Sequence, residues 1–405
     1  MDILTLSAGA YAVDITPPLA LGLLTSSVKG LYAPFESVRL PLHTRVLVLK
    51  SDDELVAIVS MDLLGLTDTS VAGWNKFKEK LSDIIPPEKI ILTCTHTHSA
   101  PESVAFSDLY LSDLYKDWLN HIQVQIKRAI KQAVQKLQRC HIFYKTAVLN
   151  GYSLQRRIRT PAGIIMSDSV QPITTELMEL EPVDRRVASL CFQNEDGEAI
   201  ATLVHAVCHP VHEMCLPYIS SEFPGEMCIA LEKSGQHGMP IFLNGAAGDT
   251  NPPTVSEGPQ YARGHGQALA KLAQDRSGYQ KMPAGKFGFI RREIQLTTRP
   301  EANITNKSDA VARLSALRIG DLAFLFLPGE PFVETAFQIE TASPFTHTLI
   351  AGFCENTIGY IPTDKAHEEG GYEVGPGKWA FLPQGTDGLI VSAALEMLNL
   401  LYQRN

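Results

Sequence analysis

Long apolar runs are missing from this chain. A membrane-spanning helix needs about 20 consecutive apolar residues, and the best stretches here, 55–66 and 322–328, are short and interrupted. No transmembrane segment is expected. A basic excess is missing too, since 35 Lys and Arg face 44 Asp and Glu for a formal net charge of −9. Binding to a phosphate backbone rests on clustered cations that displace counterions, so nucleic acid is not an expected partner. Cysteine is sparse, with seven in 405 residues. That number is odd, and several lie in apolar runs such as Leu190-Cys191-Phe192, where a thiol packs as a small hydrophobe, so buried free thiols are expected rather than a disulfide framework. The start, Met1-Asp2-Ile3-Leu4-Thr5, has neither a basic segment nor an apolar stretch nor a small-residue cleavage site. The expected location is therefore cytoplasmic, and the sequons at Asn303 and Asn306 carry no weight without a secretory signal.

What is present is an ordinary globular composition, 45% apolar and 20% charged, long enough for a sizeable core and two or three structural units. From Arg45 onward short β-branched runs alternate with segments of helical period, which predicts an α/β fold with mixed β-sheets flanked by helices. Strands are expected at 45–49, 56–61, 89–93, 142–147, 186–192, 200–207, 240–243, 287–296, 321–327 and 348–352. The clearest helix is 116–137, where Leu119, Ile122, Ile126, Ile130, Val134 and Leu137 fall three or four apart. Others are expected at 71–81, 223–233, 260–274, 331–340 and 387–403. A seam at 275–285 divides a main α/β region, 1–285, from a carboxyl-terminal α/β region, 286–405. Residues 152–181, rich in Arg, Pro, Gly and Thr, read as a long loop, either functional or mobile.

Several constellations carry possible chemistry. Thr95-His96-Thr97-His98-Ser99 directly follows the strand at 89–93, and two His at i and i+2 on an extended segment point the same way. Strand carboxyl ends are where open α/β sheets place ligands. A second strand end delivers His205, His209 and His212; His205 lies inside its strand and reads as a core histidine, whereas His209, just before Pro210, is the better ligand. The His-Glu pair at 212–213 lacks the HExxH spacing of a zinc protease. Asn244-Gly245-Ala246-Ala247-Gly248-Asp249-Thr250-Asn251-Pro252 is a small-residue turn that lets backbone approach closely, and it lacks the ending of a phosphate loop; on its own it reads as a tight crossover. Glu330, between Gly329 and Pro331, stands at a strand-to-helix junction, where an acid also serves as a cap. Tyr360 and Tyr372 lie in loops rich in turn residues. Together, strand ends that each deliver one N or O ligand match a catalytic Zn²⁺ site with one open position.

With those residues in view, the chain resembles the neutral/alkaline ceramidase family, zinc amidases that split the N-acyl bond of ceramide. The match lies in the order of the run 95–99, the His209-Pro210 step, Gly248-Asp249 followed by Pro252, Pro328-Gly329-Glu330, and the Tyr360 and Tyr372 loops, and it spans nearly the whole chain. The resemblance implies that family's catalytic-domain architecture, with His96, His209, Glu330 and Tyr360 as zinc ligands and with residues 286–405 completing the metal site. It also places His98 and Tyr372 beside the metal and Arg156 among the functional residues, with Gln155 where the family has Asn. Asn251 stands where the family has a serine linked to catalysis, and the carboxyl-terminal immunoglobulin-like domain and signal peptide of the secreted ceramidases are not expected here. The function expected is zinc-dependent hydrolysis of an amide by metal-activated water, on a small-molecule or peptide substrate. His98 would be general acid or base, Arg156 and Tyr372 would stabilise the oxyanion, and Asn251 would offer a hydrogen bond. An esterase or peptide-tailoring hydrolase on the same zinc site, and a non-catalytic ligand-binding scaffold, stay open as alternatives.

Overall fold

The computed structural model describes residues 6–22 and 34–404. Thirteen strands form one mixed sheet: β1 Leu6–Asp14, β2 His43–Ser51, β3 Glu54–Met61, β4 Ile90–Cys94, β5 Gln138–Val148, β6 Arg186–Asn194, β7 Ala199–Ala206, β8 Met239–Asn244, β9 Gln280–Lys281, β10 Phe287–Gln295, β11 Val311–Ile319, β12 Leu322–Pro328 and β13 His347–Cys354. Their spatial order is β8-β7-β6-β5-β1-β2-β3-β4-β13-β12-β11-β10, with β9 beside β5. Parallel pairs (β7 with β8, β3 with β4, β12 with β13) are mixed among antiparallel ones. The carboxyl-terminal region thus supplies β10 to β13 to the same sheet as the rest of the chain.

The sheet folds back on itself, so its inner faces share one core. Leu190, Leu203 and Ile241 on one half cluster with Leu47, Ile58, Ile91, Phe324 and Ala351 on the other. Helices cover the outer faces, giving four layers. The long helix α2, Asp113–Gln135, and the short α1, Trp74–Glu79, lie over β1 to β4. Helices α3, Glu222–Ser234, and α4, Pro259–Gln274, cover β6 to β8. Helices α5, Val333–Ala342, and α6, Thr386–Gln403, cover the β11 to β13 end. The apolar stripe of α2 is the one its spacing predicts, with Leu119, Ile122, Ile126 and Ile130 buried and Ser112 capping its first turn through the Tyr115 N–H.

Besides the two-residue β9, two long strands escape a search for β-branched runs. In β1, Leu-Ser-Ala-Gly-Ala-Tyr-Ala-Val-Asp, small residues replace bulky ones because α2 presses on the strand: a Cβ on Gly9 would lie 2.1 Å from Ala133 O. In β11 the alternation is broken by the buried Arg313 and Ser315. Helix α5 begins at Val333 and not at Pro331, because Glu330–Pro331 form a short parallel ladder with Tyr360–Ile361 before the helix starts. Residues 152–181 are built from a hairpin, Arg157–Thr160 with Gly163–Met166, and short helical turns. Among the described residues no helix is long and apolar enough to cross a membrane.

Candidate metal centre and substrate cavity

The site lies where β4 meets β13, at the carboxyl ends of β4, β7, β8 and β12. Strand β4 stops at Cys94, and the next two amides stay pinned to the end of β3 and the loop after it, Thr95 N–H to Met61 O (2.8 Å) and His96 N–H to Leu63 O (3.0 Å). His96 then adopts a left-handed φ of 68°. The two imidazoles therefore converge through a sharp turn and not through strand alternation, as the sequence pattern suggested. Their rings meet edge to face with centroids 4.9 Å apart, and His96 also stacks on Phe353 at 4.1 Å. Thr97 Oγ1 donates to Ser220 O and Ser99 Oγ to Glu213 O, which anchors the rest of the run.

His209 arrives from the loop after β7. Asn244, at the end of β8, ties this loop to the His96 loop, its Nδ2 donating to both Cys208 O (3.0 Å) and Thr95 O (3.2 Å). The small-residue turn 245–251 is more than a crossover. Ala247 O accepts the His209 Nδ1 proton at 2.7 Å, Gly248 O accepts from Arg156 Nη2 at 2.5 Å, and the buried Asp249 carboxylate receives Gln155 Nε2 and the Val333 N–H, both at 2.9 Å. Burial raises the Asp249 carboxyl to about 6. Gly248 has no room for a side chain, because a Cβ would meet Glu330 O at 2.4 Å.

Glu330 and Tyr360 are register partners in their short ladder and so stand side by side. Glu330 does not cap α5, whose cap is Phe332; its carboxylate turns to the imidazoles, with Oε2 3.2 Å from His209 Nε2 and 3.5 Å from His96 Nε2. His96 Nδ1 donates to Leu64 O at 2.6 Å and His209 Nδ1 to Ala247 O. A proton of each ring is thus held on Nδ1, so that Nε2 is the ring nitrogen left to bind, and both Nε2 atoms face a carboxylate oxygen. The Nε2 of His98 adds a further nitrogen 3.3 Å from that of His96, and the three His ligand atoms lie within 4.8 Å of one another. Burial lowers His209 to about 4, so it is neutral near pH 7, and burial with the neighbouring imidazoles lowers His98 well below its ordinary value. His96, His98 and His209 could hold a metal ion, and imidazole and carboxylate donors at such distances are a set that suits Zn²⁺.

Arg156 is buried beside this cluster, its guanidinium carbon 5.2 Å from the Tyr360 ring centroid. It is held by a residue that sequence reading did not single out: Glu373, fully buried, accepts Arg156 Nε at 3.0 Å and Arg157 Nη1 at 2.5 Å. Burial pushes the Tyr360 hydroxyl well above its ordinary value, with Arg156 opposing. Tyr372 stacks on Trp379 at 5.5 Å and meets Tyr360 at 5.9 Å. Asn251 is buried, and its Oδ1 has no hydrogen-bond partner among the described residues. His205 is a core histidine, its Nε2 bonded to Ile350 O at 2.8 Å. His212 points away, to Thr254 Oγ1 (2.7 Å) and His265 Nδ1 (3.1 Å). A cavity of about 390 Å³ opens over the cluster. His96, His98, His209, Glu330, Arg156, Asn251, Tyr360 and Tyr372 all line it, and Leu64, Val104, Phe106, Met214 and Val255 form its apolar wall.

No protein-family description matches the chain, and no curated protein matches it in sequence. Solved structures do match. Neutral ceramidase from Pseudomonas aeruginosa superposes with a TM-score of 0.76 at 18% identity, over 99% of this chain and 75% of that one. A ceramidase complexed with C2 gives 0.79 at 17% identity, over 99% and 76%. At such identities the fold is what is shared, and it is the architecture that the motif order implies.

Proposed function

We propose that this chain is a zinc-dependent hydrolase of an amide bond and a divergent member of the neutral ceramidase family. One observation carries the reading: the Nε2 atoms of His96 and His209 and the Glu330 carboxylate are brought together from three distant segments, each imidazole held by its Nδ1 on a backbone carbonyl. His96, His209, Glu330 and Tyr360 would hold the ion, which supplies Lewis acidity to acidify water and polarise a carbonyl. His98, neutral near pH 7 and directed at the cluster, takes up the proton from water and returns it to the departing nitrogen. Arg156, kept in place by Glu373 and Gly248 O, and the Tyr372 hydroxyl stabilise the negative oxygen as it develops, each donor being worth about 3 kcal/mol in comparable sites. The Asn251 amide hydrogen-bonds the substrate beside the reacting carbon. No protein nucleophile is needed, so a serine at position 251 is dispensable. The cavity volume of about 390 Å³ and its apolar wall suit an acyl group of modest length. All seven thiols are free, which fits a reducing, cytoplasmic setting.

The test is metal content combined with turnover. His96→Ala and Glu330→Ala are each expected to lose zinc by elemental analysis, whereas His98→Ala keeps its zinc and loses on the order of 100-fold or more in kcat. Full zinc in both of the first two variants overturns the assignment. Profiling against N-acyl amides, acyl esters and short peptides is expected to favour the amides, and no turnover of any acyl substrate by the zinc-loaded protein would leave a binding scaffold in place of an enzyme.

A further inference from the structure

The cavity holds one ionisable side chain for which the reaction above has no use. Asp168 follows the hairpin in a single turn, Ser167–Ser169, that is fastened back on the site by the Ser167 N–H to Arg156 O bond at 2.8 Å. It lines the cavity; the backbone amides of Asp168 and Ser169 act on its carboxylate, and its Oδ1 is buried with no hydrogen-bond partner among the described residues. Arg156 is the cation that acts on it, but that guanidinium is already engaged by Glu373 and by Gly248 O. Asn251 lines the same cavity, and its Oδ1 is likewise buried and, among the described residues, unpaired. A buried acceptor left unmet is costly, and one that carries charge is more so. The wall is therefore shaped to receive donors from a ligand. A hydroxyl brings one donor and no charge, whereas a primary ammonium brings three donors and the opposite charge.

We propose that Asp168 is a specificity-determining residue that selects amides whose amine portion carries a free ammonium near the scissile bond, with the apolar wall taking the hydrocarbon. The word amide rests on the function proposed above; the recognition of the cation stands on Asp168 alone and is read by binding.

Zinc-loaded protein is titrated calorimetrically near pH 7 with hexylammonium and with 1-hexanol, which share a chain and differ in the head group. The wild type is expected to bind hexylammonium at least tenfold more tightly than hexanol. In Asp168→Asn the ratio falls to within twofold of one, and in Asp168→Glu, which keeps the charge, the preference for the cation persists. A wild-type ratio below twofold overturns the proposal whatever the variants do, and so does an undiminished ratio in Asp168→Asn, which would place the cation elsewhere. A cation preference in a protein that hydrolyses no amide sinks the hydrolase and leaves Asp168 standing. Amide turnover without the preference does the reverse.

Discussion

His96 carries a φ of 68°, a conformation that costs a non-glycine residue of order 1–2 kcal/mol. The surroundings impose it, through the Leu63 O and Leu64 O bonds and the Phe353 ring. His96 could be picked out of the sequence as a candidate ligand, but its conformation could not be read there, because all three of those partners lie outside its own segment. Gly248 teaches the same lesson, since what forbids a side chain there is the Glu330 carbonyl. Gly248→Ala is expected to cost roughly 1–3 kcal/mol through overpacking and to weaken zinc binding by displacing Glu330, measured by urea unfolding and by competition with a metal indicator. Unchanged zinc affinity would separate the turn from the site. A second residue, Asp387, sets part of the pH dependence of stability. Burial raises its carboxyl from 3.8 to about 6, and Thr335 Oγ1 donates to it at 2.5 Å. A carboxyl raised in the folded state contributes stability that is fully present below about 3.8 and is lost as pH rises through about 6. Relative to Asp387→Asn, the wild type is expected to lose on the order of 2–3 kcal/mol between about pH 4 and about pH 7. Parallel stability curves would refute this.

Among the elements, short ladders matter more to the site than long strands. The Glu330–Pro331 and Tyr360–Ile361 pair sets carboxylate beside phenol, and the Leu154–Gln155 and Thr250–Asn251 pair sets Arg156 beside the 245–251 turn. Pairings of two residues leave no periodic trace, so the motifs could be read while their adjacency could not. The long elements were legible wherever pattern and burial agree, as in α2 and in β2 to β4. They were lost where contact with another element dictates small or polar residues, as in β1 under α2 and in β11 with its Arg313. The turn at 372–374 is joined to Arg156 and to the hairpin's Arg157 through Glu373, since both pair with its carboxylate. Glu373→Gln is expected to leave two buried guanidiniums undercompensated, to lower stability by about 3 kcal/mol or more, and to reduce kcat/KM by at least tenfold through Arg156. Full activity with reduced stability would confine Glu373 to a structural role.

At the scale of the whole molecule, the alternation of strand and helix announced the class, but the strand order did not follow from it, because β13 reaches β4 across most of the intervening chain. The candidate ligands come from segments on both sides of position 285, so binding an ion ties these segments together and adds to stability by mass action. Chelation by EDTA is expected to lower Tm by several degrees, and added zinc to restore it, at free zinc about 1,000 times Kd the gain being about 4 kcal/mol. His96→Ala is expected to show neither response, and a wild-type Tm indifferent to EDTA would argue that no ion is held between those segments.

The joint between β4 and β13 is narrow. Thr93 pairs with Cys354 there, Glu355 N–H donates to Leu92 O, and Lys78 reaches from α1 to the Glu355 carboxylate at 3.0 Å. An ion held by His96, which follows β4, and by Glu330, which follows β12 next to β13, would act as a rivet across it, so isotope exchange at the backbone amides of Thr93 and Glu355 would become a gauge of loading: slow when the rivet is in place, faster when it is drawn, and readable without any substrate.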